Sequence, residues 1–564
     1  MRTWNPFESI RRGARSSPWV VMSVFVHVIV IAALSVMYVR KHASRNEEPP
    51  GVMVVTPPRV SDTVELPEPP APIERSVVPP QIEGELVAKD EMLDVVRSDV
   101  AKPEDLTQPI GDPSSDSPFD IGGNSASSAI GAGAGGGSRG NGPTADSRSG
   151  TGKGPFKIRR GRDLKTSPIP TDRAVLDGLR WLVRHQNPDG SWGADTLKDR
   201  CDPEHPCYNP KDNLTDNYNE GLTGLALLCF LGAGFSHESR QDLVDPVEGR
   251  RHKIGDVVKN GLLWLVHKQN PDGSFSKDKS FIYNESLATM ALAEAYGLTQ
   301  NRYWKEPAQK GVDFIMRAQR PSPVNPTGLW GWRYGSRMEI EDPRKTTGDD
   351  NYKKELYDSD SSASCWAVMA LKSAQISGLT VKKENMDGAF EFTKYCTADD
   401  GKVGYLDAKT AGSAVTGKND HYTYHTATMS ALGMCIRIFT QHDPNDPFLD
   451  LAAKQIIKDL PTISKDQLSI DYYYWYYGSL ALNQLDGPDS PRKSGKYWNT
   501  WNKAMVDALL PLQDHKERAC SNGGWIIPDR WAYTGGPLYT TAINVLTLEV
   551  YFRYENAFGG GKRN

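Results

Sequence analysis

Along residues 174–193, and again along 257–276, apolar positions return every three or four residues and the run ends the same way: AVLDGLRWLVRHQNPDGSWG and VVKNGLLWLVHKQNPDGSFS. This spacing puts one apolar stripe on an otherwise charged α-helix, and the Pro-Asp-Gly after the Gln marks the turn that stops it. AQKGVDFIMRAQ at 308–319 is a third copy; MDGAFEFTKYCTADDGKVGY, FLDLAAKQIIKDL, and WNKAMVDALLPLQ followed by NGGW are weaker ones. A second kind of segment alternates with the first. It starts polar and aromatic and continues as a small-residue apolar helix: YNEGLTGLALLCFLGAG from Tyr218, YNESLATMALAEAYGL from Tyr283 and YDSDSSASCWAVMALKSA from Tyr357. Three more are HYTYHTATMSALGMCIRIF from His421, DYYYWYYGSLALNQL from Asp471 and GPLYTTAINVLTLEVYFRY from Gly536. These are apolar over more of their circumference and rich in Ala, Gly and Ser, so they belong inside, with the charged set outside. A single hairpin leaves one apolar face uncovered. Six of them satisfy one another by closing into a ring, which predicts an all-α domain, an α6/α6 toroid, over residues 171–555.

The strings QNPDGSW at 186–192 and QNPDGSF at 269–275 resemble the QW motifs of squalene and oxidosqualene cyclases. Related repeats occur in prenyltransferase β subunits and in thioester-containing macroglobulin and complement domains, all α/α toroids. The resemblance implies turns that tie successive hairpins together, with the Gln capping a helix and the aromatic ring stacked on it. It implies no particular chemistry, because function lives in sites rather than folds.

Upstream the pattern changes. Residues 18–39, PWVVMSVFVHVIVIAALSVMYV, carry no formal charge over a length suited to a hydrocarbon layer of roughly 30 Å, and predict one spanning helix. Arg40, Lys41 and Arg45 follow directly where a signal peptide would have a small-residue cleavage site. Arg2, Arg11, Arg12 and Arg15 precede it, a slight basic excess that favours a cytoplasmic segment at 1–17. Residues 40–170 hold a Pro and acid-rich run and then a Gly/Ser tract, which predicts a disordered linker spanning about 60 Å. Residues 556–564 are expected to be a disordered tail. Ser23 and His27 share one face of the membrane helix, where an ionisable group implies a partner or a packing role. The stretch from Arg11 to about Glu85, with Ser-x-x-x-His, VMVVTPPRV and ELPEPPAPIE, resembles the N-terminus of TonB-type energy transducers. That resemblance implies contact of Ser23 and His27 with a proton-channel complex of the ExbB/ExbD kind.

Charge narrows the partners: 66 Lys and Arg balance 70 Asp and Glu, so nothing points to nucleic acid. Catalysis has few candidates. Asp358-Ser359-Asp360-Ser361 lacks the last acid of the Asp-x-Asp-Asp motif with which class II cyclases protonate an alkene, and Asp360 also reads as a helix N-cap. Neither the Asp-Asp-x-x-Asp diphosphate motif nor the Gly-Cys-Gly-Glu-Gln thioester occurs. Glu220 and Glu285 hold equivalent positions and could pair as acid and base. The polar starts of the inner helices should gather at one mouth. They make a ligand-binding rim of Tyr218, Asn219, Glu220, Tyr283, Asn284, Glu285, Asp360, His421, Tyr424, His425, Tyr474 and Tyr539. His421 and His425, four apart, could hold a metal or simply be hydrogen-bonded. In CDPEHPC, Cys201 and Cys207 form a disulfide candidate, with zinc through His205 as the alternative. Cys229, Cys365 and Cys435 read as core thiols, and Cys396 and Cys520 carry no signal. No cofactor and no metal site is expected. The expectation is a single-pass protein of a bacterial inner membrane whose periplasmic toroid binds a protein, peptide or glycan; the rival is a diverged terpene cyclase or a glycan-active enzyme.

Overall fold

The computed structural model describes residue 164 and residues 167–553, with 210–213, 277–279, 326, 341–355, 411–425, 466, 468 and 530 outside the description. The predicted membrane helix with Ser23 and His27, most of the linker, the tail, and His421, Tyr424 and His425 all lie outside the described residues. Among the described residues no helix is long and apolar enough to cross a membrane.

Among the described residues, twelve helices of ten residues or more alternate between two layers. The outer ones are α1 (Pro170–Arg184), α3 (Ile254–Lys268), α5 (Arg302–Ala318), α7 (Lys383–Tyr395), α9 (Pro447–Ile456) and α11 (Trp498–Leu509). The inner ones are α2 (Asn219–Gly232), α4 (Ile282–Thr299), α6 (Ser361–Ile376), α8 (Thr426–Gln441), α10 (Tyr472–Asp486) and α12 (Gly536–Glu549). Each inner helix packs on the next, and α12 packs back on α2, so the inner layer is a closed ring of six; each of the first five outer helices rests against two inner ones. The α6/α6 toroid is therefore the observed architecture. Among the elements that sequence reading missed is an antiparallel hairpin of β1 (Asp242–Val244) and β2 (Arg251–Lys253), with Asp242 opposite Lys253. Its three-residue strands are too short to show a period of two.

Local chemistry starts and stops the helices. Pro170 opens α1 and Pro447 opens α9, where a missing N–H costs nothing. Asp360, Asp446 and Asp471 accept from the free N–H groups of Ala363, Phe448 and Tyr474. The inner helices are buried nearly all round, as in α2 from Glu220 to Gly232. Close backbone approach needs small residues: a Cβ on Gly224 would lie 2.6 Å from the carbonyl carbon of Leu287 on α4.

The Gln-to-Trp turns form the seams. Gln186 Nε2 donates to the carbonyl of Gly190 in its own turn and to that of Val257 in α3, both at 2.9 Å. Gln269 does the same to Gly273 and Pro307, and Gln319 to Trp330 and Asn385. Trp192 Nε1 donates back to Leu182 at 2.7 Å, while its main-chain N–H is taken by Thr223 Oγ1 of the inner helix. Trp332 and Trp525 repeat both bonds: their ring N–H groups donate to the carbonyls of Ile315 and Leu509, and their main-chain N–H groups to the hydroxyl oxygens of Ser364 and Thr541.

Candidate functional site

The first described residues of five inner helices, α2, α4, α6, α10 and α12, converge on one mouth of the ring. A cavity of about 400 Å³ opens there. Its walls include Tyr218, Tyr283, Ser362, Tyr473 and Tyr539, which stand at the starts of α2, α4, α6, α10 and α12. Its floor is apolar, from Leu225, Leu287 and Trp366 about a turn deeper. Phe281, Tyr334, Trp531 and Tyr533 complete the rim from the connecting loops.

Ring geometry and hydroxyl geometry are both organised. Phe281 stacks on Tyr283 with centroids 5.1 Å apart and on Tyr334 at 6.2 Å, and it lies tilted against Tyr218 at 5.4 Å. Across the mouth Tyr473 meets Trp531 at 5.9 Å. Ser362 Oγ shares hydrogen bonds of 2.6 Å with both Tyr283 Oη and Tyr473 Oη, a hydroxyl relay joining α4, α6 and α10. Trp531 Nε1 donates to the Asp471 carboxylate, so the cap of α10 also aims this ring.

Of the rim expected from sequence, Tyr218, Tyr283, Asn284 and Tyr539 line the cavity. Asn219 instead accepts from the Ala194 N–H and donates to Asp195 in the first turn. Tyr474 faces outward and donates to the carbonyls of Ile456 and Asp459, its place in the cavity being taken by Tyr473.

The candidate acids are not among the lining residues either. Glu220 is buried in α2. Glu285 is buried too, where its carboxylate accepts from the N–H groups of Phe275 and Ser276 and from the Ser276 hydroxyl, holding the turn after α3. Burial pushes its pKa up to about 7 against the pull of those donors. Asp360 is 0% exposed. One oxygen caps the Ala363 N–H at 2.7 Å and the other meets Arg333 at 2.9 Å, while Arg333 also reaches Asp358. Burial raises Asp360 to about 6. The capping role weighed for Asp360 in the sequence is thus what the structure contains.

Toward the other end of the ring the centre is filled by charge. Arg553, 0% exposed, pairs with Glu294 of α4 at 2.9 Å and donates to the Leu228 carbonyl of α2; Glu549 of α12 lies 3.6 Å away. Ser373 of α6 adds a bond to Glu294.

Sequence reading also missed a cluster on the outer wall. His185, which ends α1, lies with Cys201 and Cys207 of the following loop and Cys520 of the last turn, all four buried. Cys201 and Cys207 are free thiols with Sγ atoms 2.9 Å apart, wider than the 2.05 Å of a disulfide, so the predicted bridge is not formed here. His205, the zinc ligand considered from sequence, is instead 80% exposed beside Asp202.

No known family profile matches the chain. One stretch of 117 residues is 28% identical to the squalene–hopene cyclase of Alicyclobacillus acidocaldarius subsp. acidocaldarius, covering 20% of this chain and 16% of that protein. Among solved structures, a type II terpene cyclase from Scytonema aligns at 12% identity and a TM-score of 0.40, over 67% of this chain and 96% of its own. An α-1,6-mannanase of Salegentibacter sp. HEL1_6, solved with α-1,6-mannotriose, aligns at 13% identity and a TM-score of 0.41, over 68% and 98%.

Proposed function

We propose that the chain is a membrane-anchored binding protein of the bacterial cell envelope, whose toroid holds a neutral, hydroxyl-bearing ligand, a glycan chain first of all, in its aromatic mouth. The composition of that mouth carries the reading. Among its described lining residues are six tyrosine, two tryptophan and one phenylalanine ring with Ser, Thr and Asn groups, and no Asp, Glu, His, Lys, Arg or Cys. Aromatic faces bury the flat apolar faces of sugar rings, while hydroxyls and an amide fix orientation. Acid–base turnover needs a titratable group within hydrogen-bond reach of the reacting atom, and Glu285 and Asp360 are engaged with main-chain N–H groups elsewhere.

The rival reading, a diverged terpene cyclase, has the apolar floor of Leu225, Leu287 and Trp366 in its favour. One titration decides between them. Full-length protein in detergent is mixed with neutral envelope oligosaccharides, with short peptides, or with a polyprene, and heat and products are followed. Saturable binding of an oligosaccharide that Trp531→Ala weakens by about tenfold or more is expected; a cyclised product from the polyprene, or saturable binding of peptides alone, would overturn the proposal.

The anchor and its partner rest on the sequence of residues 18–39. The inner membrane holds the helix, the linker carries the toroid into the periplasm, and Ser23 and His27 face a proton-channel complex of the ExbB/ExbD kind. Pull-down from membranes should recover an ExbB-like protein with wild type and not with His27→Ala. Equal recovery from both would remove the channel from the proposal.

A further inference from the structure

We propose that His185, Cys201, Cys207 and Cys520 form a structural zinc site that staples the last hairpin of the toroid to the first. Four donors of the right chemistry converge. Nε2 of His185 lies 3.2 Å from the Cys520 sulfur and 3.3 Å from that of Cys207; the Cys207 and Cys520 sulfurs are 3.8 Å apart. All four donor atoms lie within 4.8 Å of one another. Zinc bonds of about 2.3 Å to sulfur and 2.0–2.1 Å to nitrogen set tetrahedron edges of roughly 3.5–3.8 Å. Three of the separations are already near those edges. The 2.9 Å between Cys201 and Cys207 must open, by about an ångström.

The histidine is prepared as a ligand. Its Nδ1 lies 2.8 Å from the Trp181 carbonyl, an acceptor only, so the proton sits on Nδ1 and the Nε2 lone pair faces the three sulfurs. The ring stacks on Trp181 at 3.9 Å, which fixes its plane. The loop that brings Cys520 is held as firmly: Arg184 donates to the carbonyls of Cys520 and Asn522 at 3.1 and 2.5 Å and is anchored by Asp245. Three thiolates and one imidazole with no open position are the donor set of a closed structural zinc site rather than a catalytic one.

Position gives the site its role. Cys207 and Cys520 are 313 residues apart, at the seam where the ring closes. A metal there acts as a cross-link between the two ends of the toroid, and binding displaces the thiol protons, so it tightens as pH rises. The competing chemistry is a disulfide between Cys201 and Cys207, which would leave His185 and Cys520 outside any bond.

The test uses the full-length chain purified without chelator. Elemental analysis should find one zinc per chain, and replacement by cobalt should give thiolate charge-transfer absorption in the near ultraviolet with tetrahedral ligand-field bands in the red. Removing the metal with a chelator should lower Tm. His185→Cys keeps four ligands, so it should still bind cobalt, with stronger charge-transfer absorption from a fourth thiolate. Cys520→Ser should lose most of the bound zinc. Wild-type protein with no retained metal and no cobalt spectrum, or with Cys201 and Cys207 joined when mapped under non-reducing conditions, would overturn the proposal.

Discussion

Gln513 and Ala174 stand 339 residues apart in the chain, and the side-chain amide of the first donates to the main-chain carbonyl of the second at 2.9 Å. The same amide holds the Gly523 carbonyl at 2.8 Å, so the bond pattern that Gln186, Gln269 and Gln319 make between consecutive hairpins recurs between the last hairpin and the first. Gln513→Leu leaves two carbonyls without that donor and should cost about 1–3 kcal/mol. Urea denaturation checks it: a midpoint equal to wild type would show that closure does not depend on this residue.

The turn glycines make a sharper prediction. Gly273 has φ +93°, and a Cβ there would lie 2.2 Å from the Lys310 carbonyl oxygen on the next outer helix. Gly273→Ala therefore meets both backbone strain and a clash with main chain, which cannot swing away as a side chain would. Expect a loss above about 2 kcal/mol, larger than for Gly378→Ala, where φ is also positive but no atom lies within 4 Å. Equal losses in thermal melts of the two variants would refute the close-approach argument.

At the charged core Arg553 faces Glu294 and Glu549, all fully buried. Arg553→Met leaves the two carboxylates without their cation, and a broken buried pair costs roughly 3–5 kcal/mol. Adding Glu294→Gln should return part of that loss by removing one stranded charge. If the double variant is no more stable than Arg553→Met alone, the cost lies in packing and not in the charge.

The alternation of striped and wholly apolar helices was enough to read the toroid, because a period of 3.6 and a repeated Gln-Asn-Pro-Asp-Gly turn survive without any tertiary information. The cavity was half legible. Tyr218 and Tyr283 open their helices with a recognisable polar start, whereas Phe281, Tyr334, Trp531 and Tyr533 come from loops, where no period says which way a ring faces. In the six residues after Asp471, Tyr-Tyr-Tyr-Trp-Tyr-Tyr, every position is aromatic, so helical phase leaves no mark that would tell Tyr473 inside from Tyr474 outside. The cysteine cluster was hidden for another reason: Cys520 meets Cys207 only through ring closure, and the histidine beside them is His185, whereas His205 of CDPEHPC is exposed beside Asp202.

Burial of Glu285 gives a pH dependence with a definite sign. Its pKa rises from an ordinary 4.5 to about 7 in the folded protein, so between those values the folded chain holds a proton that the unfolded chain has lost. Stability then falls as pH rises: the contribution is complete below about 4.5 and gone above about 7, up to about 3 kcal/mol in all. Asp360, raised from 3.8 to about 6, acts in the same direction over a lower window. Urea midpoints at pH 5 and pH 8 should differ less in Glu285→Gln than in wild type. A larger difference in the variant would contradict the assignment.

The hydroxyl relay at the mouth separates binding from folding. Tyr283→Phe and Tyr473→Phe each remove one hydroxyl from Ser362 and leave the ring in place, so the aromatic walls persist while a 2.6 Å bond is lost. Each of these hydroxyls is one of the few polar groups facing the cavity, and a ligand hydroxyl deprived of such a partner loses about 1 kcal/mol, or roughly fivefold in Kd. Trp531→Ala removes a wall instead and should cost more, on the order of 1–3 kcal/mol of binding, with little effect on Tm because the ring sits at the rim. Calorimetric titration of the three variants with one oligosaccharide gives the ranking. If the two Tyr→Phe changes leave Kd untouched while Trp531→Ala abolishes binding, the ligand uses the rings alone, and an apolar chain rather than a sugar becomes the better description of what the mouth holds.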